Sequence, residues 1–339
     1  MKIIGQEKAL RRLRDILSKG RISHAYLFSG PEGVGKKLLA FWFARALLCL
    51  APNPDHSPCL SCRSCRKADS GNHPDISLVA PSEGSAIKID QMRHLKHNAN
   101  FRPFEGRHRI TVIDRAHRMT DAAANSILKL LEEPPAADIF ILICPDPSLL
   151  LPTILSRCQV VQCTPVSRDL IEAFLFEEFG LSAEQARVVA SLSEGNLKKG
   201  CLLAKDPESL QMREEFLSFV ETLPAEGLSQ VLSQAQNLER WNEKLGRERM
   251  DLLLRWFRDI LVVKEWQQSS DSQASLEKIL FQPERLTQLR EAALQWTTIQ
   301  LQQILSLLFF SVKALEQHAN PKLVVETMLL KMRGTRYGG

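Results

Sequence analysis

His24-Ala25-Tyr26-Leu27-Phe28-Ser29-Gly30-Pro31-Glu32-Gly33-Val34-Gly35-Lys36-Lys37 is the stretch on which the fold turns. Ala25 to Phe28 reads as a short buried strand, and Gly30 to Lys36 fits the phosphate-loop pattern G-x-x-x-x-G-K. Lys36 to Leu50 reads as a helix. Glycines therefore join a strand to a helix, which is the setting this motif requires. In such a loop the backbone N–H groups wrap phosphates and the lysine reaches the terminal ones. A following Ser or Thr, with a later Asp, then holds magnesium. Lys37 stands where that hydroxyl belongs, and an ammonium has no lone pair to offer a cation.

A second departure lies farther along. The apolar run Ile110-Thr111-Val112-Ile113 ends in Asp114, as the partner motif should, but Arg115 follows where a hydrolase of this type carries a water-activating Glu. Gly30, Gly33, Gly35, Lys36, Lys37 and Asp114 are thus the candidate nucleotide-binding residues of a degenerate site. Binding of ATP or ADP stays chemically open, beside the alternative of a loop kept for packing. Autonomous hydrolysis is not expected.

Working outward, strand-like Ile76-Ser77-Leu78-Val79, Arg109 to Ile113 and Ile139 to Cys144 alternate with helical stretches such as Ala122 to Leu131. That alternation predicts an α/β domain with a parallel sheet covered on both faces. Before it, Gln6 to Ser18 reads as an amphipathic helix stopped by Gly20. After Cys163 the strands end. Asp169 to Phe179 and Ala183 to Leu192 begin a small helical group, and from about Asp206 every periodic stretch is helical. The broad apolar stripe of Leu252, Leu253, Trp256, Phe257, Ile260, Leu261 and Val263 predicts core or subunit interface. Boundaries are expected at 1–164, 165–206 and 207–339.

The 339 residues allow two or three such domains. Lys and Arg number 44 against 39 acidic residues, for a mild net charge of +5, and no block of one sign reads as a nucleic-acid arm. DNA contact is expected only as a shared contribution within an assembly. The longest apolar candidate, Ile139 to Leu155, is interrupted by Pro145, Asp146, Pro147 and Pro152, and the N-terminus has no signal-peptide pattern. A cytoplasmic protein is the expectation.

Four of the eight cysteines, Cys49, Cys59, Cys62 and Cys65, follow the spacing C-x9-C-x2-C-x2-C. Overlapping C-x2-C steps turn successive thiolates toward one point, and four thiolates suit structural zinc. An iron–sulfur cluster is the rival, but its C-x2-C-x2-C-x3-C-P run is not met. His56 or His73 can substitute for one sulfur. Cys144, Cys158, Cys163 and Cys201 read as packing residues.

Several motifs together resemble bacterial clamp-loader subunits. They are the run His24 to Gly30 into the loop, the four-cysteine module, and Ala124-Asn125 through Leu128-Lys129 to Leu131-Glu132-Glu133-Pro134-Pro135. Leu151-Pro152-Thr153-Ile154 into Ser156-Arg157-Cys158, and Asn320-Pro321-Lys322-Leu323, complete the set. The tau/gamma motor branch carries an intact G-K-[ST] and an Asp-Glu pair, and the delta branch lacks the zinc cysteines and Ser-Arg-Cys. The delta-prime branch of the DNA polymerase III clamp-loader family accommodates all three observations.

The resemblance implies an AAA+ α/β domain with a zinc module, a small helical lid domain and an all-α collar. It implies a hetero-pentameric ring with tau/gamma and delta subunits that loads a sliding clamp onto primed DNA. Arg157 would act in trans as an arginine finger on a neighbour's ATP. The chain would not catalyse alone, though it would belong to a DNA-directed DNA polymerase (nucleotidyltransferase) holoenzyme. Cys144 falls near the first sensor position and Lys199 near the second. The alternative is an autonomous P-loop ATPase with an atypical magnesium site.

Overall fold

Ala25–Ser29 (β1) is buried along its whole length and lies near the centre of a five-stranded sheet in the order β2-β3-β4-β1-β5. The others are Ile76–Val79 (β2), Arg109–Ile113 (β3), Asp138–Cys144 (β4) and Gln159–Gln162 (β5), and every pairing is parallel. A computed structural model provides this description, for residues 3–81, 86–99, 102–222, 243–267, 276–277, 279–317 and 319–337.

The chain divides into two compact units. One contains Met1–Ala173 with Ser193–Lys199, and the other Phe174–Leu192 with Gly200–Gly339.

In the first unit, Glu7–Lys19 (α1) ends where Gly20 turns left-handed at φ 63° and its N–H returns to the Leu17 carbonyl. Lys36–Leu47 (α2) follows the phosphate loop, three residues shorter than expected from Lys36 to Leu50. Its Phe43 meets Tyr26 of β1 edge-on, with ring centres 4.9 Å apart. Such a pair adds about 0.5–1.5 kcal/mol beyond its burial. The Tyr26 hydroxyl, fully buried, accepts the Ser23 N–H at 2.8 Å, so its polar end is satisfied.

Arg63–Asp69 (α3) packs on α2, and Ile89–Ala99 (α4), Asp121–Glu132 (α5) and Pro152–Leu155 (α6) complete the cover of the sheet. Leu39, Phe43, Ile110 and Ile141 belong to one buried apolar cluster, and Leu27, Met92, Ile127 and Leu142 to another. The parallel sheet is therefore clothed on both faces.

The sequence reading missed β5. Only Val161 of its four residues is buried, as befits an edge strand with polar ends, so no apolar run announces it. It also missed α3, which has only seven residues and lies inside the cysteine-rich excursion.

Arg168–Phe179 (α7), Ala183–Ser193 (α8) and Leu197–Ala204 (α9) follow, then Pro207–Thr222 (α10) and Glu243–Trp266 (α11). Leu286–Gln295 (α12), Thr298–Glu316 (α13) and Pro321–Tyr337 (α14) finish the chain. In the second unit α11 packs on α12 and α13, and α13 on α14. Of the predicted stripe, Leu253, Trp256, Phe257, Ile260 and Val263 are buried in this core, with Leu252 and Leu261 partly so.

Thr297 and Gln300 form a reciprocal capping box that starts α13. By length and composition α13 is the one described helix able to cross a membrane. The stretch from Ile139 to Leu155, weighed from sequence, instead forms β4, a turn and α6. Leu301, Ile304 and Leu308 of α13 are fully buried in the second unit's core.

Candidate functional site

Every strand of a parallel sheet ends at the same edge, and ligands collect there. Here that edge gathers the loop after β1, Asp114 after β3, and Cys144 at the end of β4. The loop needs its glycines for two separate reasons. Gly30 has φ 146°, and a Cβ there would stand 2.1 Å from the Cys163 carbonyl oxygen. Gly33 has φ 72°, and a Cβ there would stand 1.7 Å from Oδ1 of Asn196. Gly35 sits at φ 99° with open space around it, so only its conformation asks for glycine.

Neighbouring backbone fixes the loop. The Gly30 N–H donates to the Pro145 carbonyl at 3.2 Å, and the Lys198 N–H donates to the Gly33 carbonyl at 3.2 Å. Buried Gln6 donates through Nε2 to the carbonyls of Val34 at 3.1 Å and Thr164 at 2.7 Å, and accepts the Thr164 N–H at 3.1 Å. Neither Gln6 nor Asn196 was a candidate from sequence. A glutamine opening a helix looks like an ordinary cap, and no local signal says that it grips a distant loop, while Asn196 caps in the usual way by accepting the Lys199 N–H at 2.9 Å.

Lys36 is buried, 8% exposed, and its ammonium donates to the carbonyl oxygens of Gly30 and, at 2.6 Å, of Pro31. Burial pushes its pKa down, while the surrounding Cys163, Glu32, Cys144 and Asp114 oppose that shift. Two donors brace the loop, which leaves a third hydrogen for a phosphate oxygen. Burial also pushes the neighbouring thiols of Cys144 and Cys163 up to about 11, so both are neutral near pH 7.

The following lysine behaves differently. Lys37 Nζ lies 3.1 Å from Asp114 Oδ2. The two positions that would share a magnesium ion are joined instead by an ion pair. Arg115 takes a left-handed backbone, φ 53° and ψ 50°, and is exposed. Lys199 Nζ reaches Glu194 at 3.4 Å as a surface pair.

At the second candidate site, the Sγ atoms of Cys49, Cys59, Cys62 and Cys65 all lie within 4.8 Å of one another. Cys65 and Cys49 are 3.7 Å apart, and Cys59 and Cys65 are 4.0 Å apart. A tetrahedron with bonds of about 2.3 Å has edges of about 3.8 Å, which these two separations match. Backbone N–H groups point at the sulfurs: Cys59 to Cys49 at 3.3 Å, Cys62 to Cys59 at 3.4 Å, and Cys65 to Cys62 at 3.4 Å. The Cys62 N–H foremost, with the Ser61 N–H and hydroxyl, lowers the Cys59 thiol to about 6, while burial pushes the Cys49 and Cys65 thiols up.

His56 and His73 are not in the ligand group. Instead His73 bonds through Nε2 to Ser64 Oγ at 3.1 Å and accepts the Asp75 N–H through Nδ1 at 3.1 Å. Ser64 Oγ donates in turn to the Leu48 carbonyl at 2.8 Å, tying the module to the end of α2.

Arg157 follows the Ser156 cap of α6. Nη1 donates to the Thr153 carbonyl at 2.9 Å and to Ser156 Oγ at 3.3 Å, and Nη2 donates to Glu132 Oε1 at 2.9 Å. The side chain keeps 33% of its surface exposed. None of these partners belongs to the phosphate loop. Glu132, which the sequence shows only within a longer motif, is the acidic partner of this guanidinium.

The family model described as "DNA polymerase III, delta subunit" matches residues 5–167. The chain is similar to DNA polymerase III subunit delta' of Bacillus subtilis, at 31% identity over 97% of this chain and 96% of that one. It is also similar to DNA polymerase III subunit tau of Escherichia coli, at 36% identity over 58% of this chain and 31% of that one. Among solved structures, a gamma subunit-related protein of Thermotoga maritima covers 97% of this chain and 99% of its own at 20% identity, with a TM-score of 0.46. The 31% identity to subunit delta' over 97% of the chain places it in the DNA polymerase III clamp-loader family, on its delta-prime side.

Proposed function

We propose that this chain is a non-hydrolysing subunit of a DNA polymerase III clamp loader, which supplies Arg157 in trans to the ATP of a neighbouring motor subunit. The ion pair between Lys37 and Asp114 carries the reading. It puts a fixed ammonium where a hydrolysing subunit needs magnesium, and Arg115 has no lone pair to take a proton from water. Arg157 supports the other half. A guanidinium steadied by Glu132 and the Thr153 carbonyl, yet a third exposed, is preorganised to meet charge on another chain.

On this reading residues 1–164 are the AAA+ domain with a zinc module at 49–65, residues 165–206 a helical lid, and 207–339 a collar. The partners are tau/gamma motor subunits and a delta subunit in a hetero-pentameric ring, working in the cytoplasm on a sliding clamp and primed DNA. Exposed Phe309 and Phe310 on α13 are apolar surface that a neighbouring collar would cover. Nucleotide in the degenerate loop, and structural zinc on the four cysteines, belong to the same reading.

Arg157→Ala in the reconstituted complex tests it. Size-exclusion chromatography should find assembly intact, while ATP turnover at the adjoining site falls by up to about 10³-fold and clamp loading falls with it. Unchanged turnover and loading would remove the finger. The isolated chain should release no phosphate from ATP and magnesium. Turnover abolished by Lys36→Ala would favour an autonomous ATPase instead.

A further inference from the structure

Magnesium is the cation that a phosphate loop of this kind implies, and the residues present do not fit it. Magnesium demands close oxygen ligands in near-octahedral array, at about 2.0–2.1 Å. Lys37 brings no oxygen, and its ammonium already holds Asp114 Oδ2 at 3.1 Å. A cation arriving there meets a neutralised carboxylate and a like charge. The phosphate-binding parts are nonetheless built. Lys36 is buried with one hydrogen to spare, and the left-handed Gly33 and Gly35 set the loop at the N-terminus of the twelve-residue helix α2.

We propose that the loop is a metal-independent polyphosphate site, in which the tethered ammonium of Lys37 takes the place of magnesium and the ligand is a metal-free nucleoside di- or triphosphate. Lys36, Lys37 and Arg115 are set against Glu32 and Asp114, and Lys37 cancels Asp114 before any ligand arrives. A bound phosphate then meets Lys36, the exposed side of Lys37, and the first N–H groups of α2. The ammonium is covalently part of the helix, so it cannot exchange with solution as a metal ion does.

The inference rests on the reading that the loop takes nucleotide. Isothermal titration of the full-length chain with ATP, once with magnesium and once with EDTA, tests both. Wild-type affinity should be at least as high in EDTA as in magnesium, which competes for the metal-free ligand, whereas Lys37→Thr should bind about tenfold tighter with magnesium than without. Asp114→Asn supplies an independent arm. It frees the ammonium for phosphate and should bind ATP in EDTA at least as tightly as wild type, where loss of a true metal ligand would weaken binding in magnesium. Wild-type binding that collapses by about tenfold or more in EDTA would overturn the inference and leave nucleotide occupancy standing. Absence of binding in both conditions would remove the two together. Neither result bears on Arg157, which is tested in the complex.

Discussion

Within one unit of this molecule, two sites are marked by their motifs for a divalent cation, and they have gone opposite ways. At the cysteine module four sulfurs converge to the size of a zinc tetrahedron, with backbone N–H groups favouring the thiolate form. At the phosphate loop the scaffold survives but Lys37 is salt-bridged to the one acidic ligand. The difference lies in what each cation would do. A closed four-sulfur site organises a stretch too poor in apolar residues to fold alone, so losing a ligand costs structure. The magnesium site serves chemistry, and the loop keeps its shape through Gln6, Lys36 and Lys198 without it.

The comparison breaks most readily at the module. Structural zinc contributes about 10–16 kcal/mol to small metal-dependent domains. Cys65→Ser, or prolonged chelation, should reduce zinc from one per chain and open residues 49–72 to proteolysis, while the sheet stays folded. A Cys65→Ser protein that keeps stoichiometric zinc and resists protease would contradict the four-thiolate assignment.

Next in size is the charge that Arg157 is proposed to lend. Glu132→Gln should leave the complex assembled and lower turnover at the neighbouring ATP site by up to about 10²-fold, the scale of a misplaced catalytic group. Glu132→Asp should recover part of it. A stability change with normal turnover would reduce Glu132 to a surface pair.

Acid provides a smaller effect on the same side of the molecule. Burial alone would push the Asp75 carboxyl up, but the N–H groups of Glu105, Phe104 and Gly106, with His73 beside it, hold it below the ordinary range. Its folded value lies below the unfolded value of about 3.9, so its contribution is complete above that pH and is lost as pH falls through the folded value. Asp75→Asn should therefore be less stable at neutral pH, by about 1–3 kcal/mol, and its stability should fall less steeply below pH 4. Parallel slopes for both proteins would assign the acid sensitivity elsewhere.

Smallest of all, Asp114→Asn should change the melting stability of the unliganded chain by less than about 1 kcal/mol, because its partner Lys37 is half exposed. A large loss would mean that the ion pair holds the fold, and would blur the contrast between the two sites.

Much of this was legible in the chain. The strand-glycine-helix order around Gly30 to Lys36, and the four strands from Ala25 to Cys144, follow from local pattern and were read within a residue or two. The convergence of Cys59, Cys62 and Cys65 followed from spacing, since a C-x2-C step constrains its own two sulfurs. Less legible were β5, whose single buried residue gives no periodicity, and α3, too short to show a face. The grips of Gln6 on Val34 and of the Lys198 N–H on the Gly33 carbonyl join residues far apart in the chain, and no local signal reaches that far.

The sequence by itself determined which atoms are available: a lysine without a hydroxyl neighbour, an aspartate followed by arginine, and four thiols at converging steps. Only the tertiary structure decided their relations. It brought Lys37 onto Asp114 across 77 residues and set Arg157 against Glu132 instead of its own phosphate loop. The physical reason is that chemical identity travels with the residue, whereas charge compensation depends on distances that the whole sheet must fold to fix.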